Sequence, residues 1–356
     1  MELPKFKVAI LCMTYQHAAY IQDALDGFCM QETDFPFIAA VVDDASTDGE
    51  QEVINRYLQE HFDLSDKDAY INNAEEGIYT YARHKTNTNC YILSLNLKKN
   101  LFKQKGAKSK LIARWVEGVI YRAECEGDDY WTDPLKLKRQ VDFMDSHPDY
   151  AFCCHRFVIY EQNRGIYRQE YAQAYYQEGQ DLEITEDLFL KVWVTMTLTG
   201  LFRQSIVKKA ASICLSQYND AMDVYLFYEL LQLGKGIALN HNMGVYRWHD
   251  GGISIGQNPL ARYNKGINVY TNLYRYHPND KLLLPKIRYN YDRLLRYTTY
   301  SREGYALYKE SLQYCETPSQ KVRMMIMYLI HPVLFVIPYK IFIYFLRKKC
   351  SISNPS

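Results

Sequence analysis

At 356 residues and 42.0 kDa the chain is too long for a peptide or a lone binding module, and is long enough for one large domain or two modest ones. Its 48% apolar content, 23% charged content and 33 tyrosines provide for a sizeable core and exclude a disordered chain. Forty-two Lys plus Arg against 41 Asp plus Glu leave a formal charge of +1, so nothing global favours nucleic acid, and local charge segregation becomes the feature to seek. Nine cysteines, none in a CxxC pair, with Cys153 and Cys154 adjacent, read as reduced thiols rather than as a zinc knuckle or a disulfide frame. The first apolar run begins at Val8 and is too short for a signal peptide, so a cytoplasmic location is expected.

Val8 to Met13 is a continuous apolar run, the signature of a strand buried on both faces of a parallel sheet, and Ile21, Leu25 and Phe28 follow at helical spacing. A second run, Phe37 to Val42, stops at Asp43 and Asp44, and Gln51 to Leu58 offers a second short helix. The opening is therefore β-α-β-α. Ligands of doubly wound sheets bind outside the carboxyl ends of the strands, which places Thr14, Tyr15, Asp43 and Asp44 on one rim.

Between Gly77 and Val116 there is no Asp or Glu, while Arg83, Lys85, Lys98, Lys99, Lys103, Lys105, Lys108, Lys110 and Arg114 supply nine positive charges. Val119 to Cys125 is a third strand candidate and runs into EGDDYW. Asp133 and Pro134 then open a helix with Leu137, Val141 and Met144 on its apolar face, and Tyr150 to Tyr160 is a further strand. Arg164 to Asp187 reads as a surface loop, Asp223 to Leu233 as a helix closed by Gly234, and VYRWHDGGIS as a short strand with a polar turn. Two or three helices are expected from Asn258 to Tyr314. The apolar stretch Met324 to Leu346, broken by Pro332 and Pro338 and flanked by basic residues, suits a kinked segment in a membrane interface better than a straight span; the alternative is a buried helical pair.

Successive side chains on a strand face opposite ways, so Asp128 and Asp129 can diverge, one toward a sugar and one toward a hard cation whose other positions a diphosphate fills. The competing reading of EGDDYW is an acidic turn that caps the next helix. Asp44 can accept from a base N–H, while Ser46 and Asp48 serve as helix caps. Asp223, or Asp220 three residues earlier, is equally an ordinary cap before LFYELLQL.

KVAILCMTYQHAAYIQDAL, VVDDASTDG, ECEGDDYWTDPLKLKRQVDFMDSHPDYAFCCH, MDVYLFYELLQLGKG and VYRWHDGGIS, in that order, resemble the family 2 glycosyltransferases, in particular bacterial enzymes of surface-polysaccharide synthesis. The resemblance covers roughly residues 5 to 255. It implies an α/β GT-A fold (Rossmann-like, doubly wound, with a mostly parallel mixed sheet) over 1–255, split near 130 into nucleotide-sugar and acceptor halves. A helical appendage over 256–320 and a membrane-associating basic and apolar segment over 321–349 would follow. It also implies a nucleotide-sugar donor, with a UDP-sugar favoured, a divalent metal (Mn²⁺ or Mg²⁺), inversion at the anomeric carbon, and a glycan or lipid-linked acceptor at the cytoplasmic face of the inner membrane. Residue by residue, it puts Thr14, Tyr15, Asp44 and Asp128 around the donor nucleotide, Asp129 on the metal and Asp223 in the place of the catalytic base, with Arg247 and His249 within reach of the diphosphate or acceptor. The readings left beside it are a sugar-phosphate nucleotidyltransferase, which the absence of a glycine-rich phosphate loop at MTYQHAAY disfavours, and a catalytically silent scaffold of a polysaccharide assembly complex. The interval between VVDDASTDG and EGDDYW is long for the family; the acid-free basic stretch within it reads as an insertion loop rather than part of a donor pocket, either a solvated lysine-rich loop or a patch for the phosphate of a lipid-linked acceptor or an anionic membrane.

Overall fold

The computed structural model describes residues 3–218, 223–252, 258–298 and 301–331. Its contacts divide the chain into two compact units, Met1–Ile253 and Ser254–Ser356. The first unit runs β1 (Val8–Thr14), α1 (Ile21–Cys29), β2 (Phe37–Asp43), α2 (Glu50–His61), β3 (Tyr70–Asn73), β4 (Gly77–Arg83), β5 (Cys90–Leu97), α3 (Ala107–Ile112), β6 (Tyr121–Glu124), β7 (Tyr130–Trp131), α4 (Lys136–Ser146), β8 (Tyr150–Glu161), β9 (Ile166–Gln169), β10 (Leu182–Ile184), α5 (Glu186–Lys191), β11 (Leu201–Arg203), α6 (Gln204–Gln217), α7 (Asp223–Leu233) and β12 (Lys235–Trp248).

All of these strands join one mixed sheet, ordered β10-β12-β8-β11-β6-β1-β2-β5-β4-β3, with β7 beside β12 and β9 beside β8. Its centre, β6-β1-β2-β5, is parallel. The apolar runs dictate this: every residue of β2 is buried. Alternate side chains serve two cores. Val8, Ile10, Cys12, Phe37, Ala39 and Val41 pack with Ile21, Leu25 and Phe28 of α1, whereas Ala9, Ile38, Ala40 and Val42 pack with Ile112 and Trp115. At about 1.5–3 kcal/mol for each large apolar side chain removed from water, the α1 face alone anchors that helix. Because β1 lies between β2 and β6, strand order reverses at its carboxyl end, and a crevice opens there between the loops after β1, β2 and β6.

Three expectations change. The basic stretch is no simple insertion loop, since β5 pairs in parallel with β2 and β4 runs antiparallel to β5; its charges cluster in the turns and in α3, leaving CYILSLNL to behave as a buried strand. The stretch 164–187 carries β9 and β10, edge strands recruited by pairing to β8 and β12. The short strand before the polar turn is β12, fourteen residues long and bent by register shifts against β8.

The second unit is helical: α8 (Pro259–Tyr276), α9 (Leu283–Leu295), α10 (Arg302–Leu312) and α11 (Pro318–His331). Asn258 caps α8 with Pro259 at the first position, and Ser301 caps α10 through the Gly304 N–H. Ile267, Leu273, Ile287, Leu294 and Leu295 are buried. Gly266 lies so close to Asn290 that a Cβ there would fall 2.2 Å from its Oδ1. Residues 321–331 of the apolar tail lie in α11, which buries Met324 and pairs Arg323 with Asp292 of α9; the rest of that tail lies outside the described residues. Among the described residues, no helix is long and apolar enough to cross a membrane.

Candidate functional site

The floor of the crevice is built by two loops tied to each other. Thr14 ends β1 opposite Asp43 at the end of β2, and the Asp44 N–H donates to the Thr14 carbonyl at 3.0 Å. Asp43 is buried and accepts from the Ser46 N–H at 3.0 Å and from Gln51 Nε2 at 2.5 Å. Asp48 accepts from the Ala18 and Glu50 N–H groups, and Ser46 Oγ accepts from the Gln16 N–H at 2.9 Å. Most of VVDDASTDG is therefore structural, as its cap residues suggest. Ala45 and Gln16 adopt left-handed backbone conformations, with φ of 62° and 61°, to make these turns.

Glu50, not signalled by any motif, holds the two loops together. Fully buried, it accepts the Thr14 hydroxyl proton, the His17 N–H at 2.9 Å and the Ser46 hydroxyl at 2.8 Å. Burial pushes its carboxyl up to about 7 against these three hydrogen bonds. Thr14, expected beside a nucleoside, instead turns its hydroxyl to Glu50 and to His17 Nδ1 at 3.1 Å and is 3% exposed. Tyr15 stands exposed on the rim.

Asp44 is buried beneath the basic stretch. Its Oδ1 accepts from the Leu101 N–H at 2.6 Å, and its Oδ2 pairs with Lys108 Nζ at 2.7 Å. One lysine of the acid-free stretch thus enters the crevice, and its charge also favours the ionised form of Glu126.

EGDDYW leaves β6 through a tight turn in which the Asp129 N–H donates to the Glu126 carbonyl at 3.2 Å. Gly127 lies against Thr14, where a Cβ would fall 2.0 Å from Oγ1, so only glycine lets this turn approach β1. Asp128 and Asp129 lie in the turn beyond β6, where strand alternation no longer applies; an oxygen of each falls within 4.8 Å of the other, and the more accessible of the two is Asp128. Its Oδ2 lies 3.0 Å from His249 Nε2 and 3.6 Å from His17 Nε2, and its Oδ1 is buried with no hydrogen-bond partner among the described residues. Asp129 is buried, with Oδ1 accepting from the Arg247 N–H at 2.8 Å; desolvation first and the Asp128 charge second push its carboxyl well up. Glu126 opens to the crevice, and its carboxyl rises to about 8 through desolvation and the charges of Asp128, Asp223 and Glu124. Asp223, the exposed first residue of α7, is thereby within electrostatic reach of the acid group; Asp220 lies outside the described residues.

Arg247 corrects an expectation. Its guanidinium is buried and committed to the protein: Nε donates to the Asp128 carbonyl at 2.8 Å, one terminal nitrogen to Gln162 at 2.6 Å and the other to Asp23 at 2.6 Å. It also packs over Tyr20 and Tyr130. It fixes the turn that presents Asp128 rather than reaching for a diphosphate. His249 does reach the crevice, packed against Tyr20 at 4.7 Å between ring centroids. Among the described residues, two donor sets could hold a metal ion, His17–Asp128–His249 and Glu126–Asp128–Asp129, each with its ligand atoms within 4.8 Å of one another. The sequence reading missed His17 and Glu50; the only signal for His17 was a histidine three residues past the β1 terminus.

No protein-family model matches the chain. Uncharacterized proteins of Mycobacterium tuberculosis and Mycobacterium bovis are 30% identical to it over 253 residues, covering 69% of this chain and 60% of theirs. The match thus spans less than two thirds of those relatives. Among solved structures, S. aureus TarS 1–349 in complex with UDP-GlcNAc superposes with a TM-score of 0.53 at 16% identity, covering 91% of this chain and 89% of that one. The same protein with UDP gives 0.52 at 15% identity. This likeness shows the fold: an α/β GT-A architecture with a mixed sheet, parallel at its centre.

Proposed function

We propose that the chain is an inverting, metal-dependent glycosyltransferase that moves a sugar from a nucleotide-sugar donor to a glycan acceptor, lipid-linked, in bacterial surface-polysaccharide synthesis. One observation supports the reading: the acid cluster Glu126, Asp128 and Asp129 after β6 is within electrostatic reach of Asp223 of α7 and of Lys108, which pairs with Asp44 after β2, so three separate parts of the chain bear on one group of acids. Asp44 and the exposed Tyr15 are assigned to the nucleoside, and a UDP-sugar is favoured because the fold neighbour was crystallised with UDP-GlcNAc.

Asp223 is assigned the proton of the acceptor hydroxyl. It is exposed at the start of α7 and within electrostatic reach of Glu126, and a carboxylate so placed could deprotonate an oxygen attacking the anomeric carbon from the side opposite the departing diphosphate. Asp128, with one buried oxygen lacking a hydrogen-bond partner, fits a divalent cation, as do the residues clustered with it. Such a cation would offset the charge that develops on the leaving diphosphate.

Membrane association is part of the proposal. Lys321 and Arg323 alternate on α11 with the exposed apolar residues Val322, Met325 and Ile326, a composition suited to an anionic cytoplasmic leaflet. The test of the reaction is nucleoside diphosphate release from a donor panel with glycan and lipid-linked acceptors. Asp223→Asn should lower turnover on the order of a hundredfold while donor binding persists; near-normal turnover in the folded variant removes Asp223 from the chemistry.

A further inference from the structure

We infer that His17, Asp128 and His249 form a three-donor site for a borderline first-row divalent cation, such as Mn²⁺, Co²⁺ or Zn²⁺, that loads without any nucleotide. The proposal rests on the glycosyl-transfer reading only for the task the cation serves. Two donors bound at about 2.0–2.2 Å and separated by roughly a right or tetrahedral angle lie about 2.8–3.6 Å apart. The two histidine nitrogens, 3.0 and 3.6 Å from Asp128 Oδ2, already have that spacing.

The surrounding hydrogen bonds orient the donors. Thr14 donates its only hydroxyl proton to Glu50, so Thr14 Oγ1 is left to accept from His17 Nδ1–H. That assigns the tautomer of His17 whose Nε2 lone pair points toward Asp128, the form a metal requires. The ring of His249 lies perpendicular to that of His17, at 86° and 5.8 Å between centroids, so the two nitrogens approach from different directions. Arg247 clamps the Asp128 carbonyl from behind.

In the rival acid set, Asp129 is buried and one of its two oxygens is already held by the Arg247 N–H. Two imidazoles and one carboxylate favour ions later in the first row over Mg²⁺, which prefers oxygen donors and retains its waters. Three protein donors do not fill a four- to six-coordinate ion, so phosphate oxygens could complete it.

The experiment uses the full chain without nucleotide and follows free Mn²⁺ by electron paramagnetic resonance. One Mn²⁺ should bind per chain, with Mg²⁺ competing only at more than a hundredfold excess. His17→Ala should weaken binding at least tenfold, and Thr14→Val, which removes the acceptor for Nδ1–H, by about tenfold. Circular dichroism checks that both variants fold. Proton NMR of the Co²⁺-loaded wild type is independent of their folding and should show hyperfine-shifted ring N–H signals from two histidines.

Mn²⁺ binding unchanged in His17→Ala, no binding without nucleotide, equal affinity for Mg²⁺, or fewer than two histidine signals would each overturn the site. The two readings fail separately. A chain that binds Mn²⁺ as described but releases no nucleoside diphosphate from any donor keeps the site and loses the transferase reading. A chain that turns over normally with His17→Ala binding Mn²⁺ like wild type does the reverse.

Discussion

Side chains set the site's tolerances. A Cβ at Gly127 would meet Thr14 Oγ1 at 2.0 Å, so Gly127→Ala must displace Thr14 and with it the acceptor for His17 Nδ1. A loss of about 1–3 kcal/mol in urea unfolding and weakened Mn²⁺ binding are expected together. Ala45, left-handed at φ 62°, is better served by glycine, and Ala45→Gly should gain about 0.5–1 kcal/mol in the same assay. Lys136 is fully buried, with Nζ over the Trp131 ring at 3.6 Å and no hydrogen-bond partner among the described residues. Desolvation lowers its folded value to about 7 from the ordinary 10.5. The unfolded chain therefore holds a proton that the folded chain releases between those values, so stability rises with pH across that window. Below about pH 7 the cost of the buried charge is present in full. Lys136→Met should stabilise the protein by about 1–3 kcal/mol at pH 7, a gain that shrinks toward pH 10; a gain independent of pH would show that the amine holds the same protonation in the folded and unfolded chains, so that burial does not depress it.

At the level of strands, helices and loops, the apolar runs Val8 to Met13 and Phe37 to Val42 were legible because a strand buried on both faces leaves no polar position to interrupt it. The bounds Asp223 to Leu233 of α7 were legible for a similar reason, a periodic face with a clear stop at Gly234. The basic stretch misled because charge was averaged over forty residues that contain two strands and a helix. Its consequence is local: Lys108 Nζ, partly exposed, pairs with buried Asp44. Lys108→Ala should cost about 1–3 kcal/mol by leaving that carboxylate short of a partner, and adding Asp44→Asn should recover most of it. Equal stability of Lys108→Ala and wild type, by urea unfolding, would show that the pair contributes nothing.

Across the whole molecule, the two units have separate cores, and α11 belongs to the helical one through Met324, Tyr328 and Arg323. A test of membrane association should therefore cut after His331, not ahead of α11, so that the helical unit keeps its packing. The shortened chain should lose sedimentation with vesicles rich in anionic lipid, and retained sedimentation would move the contact to α11 or to the basic stretch.

The order of motifs was sufficient for the fold class and for the strand ends where acids gather, because buried periodicity and abrupt acidic stops are local properties of a chain. Which acid is available, and for what, was a matter of three dimensions. Asp128 and Asp129 are chemically identical neighbours, and only the approach of Arg247 and His249, more than a hundred residues later, makes one buried and braced and sets the other against an imidazole. His17 and Glu50 gain their meaning in the same way, from side chains that sequence spacing cannot bring together.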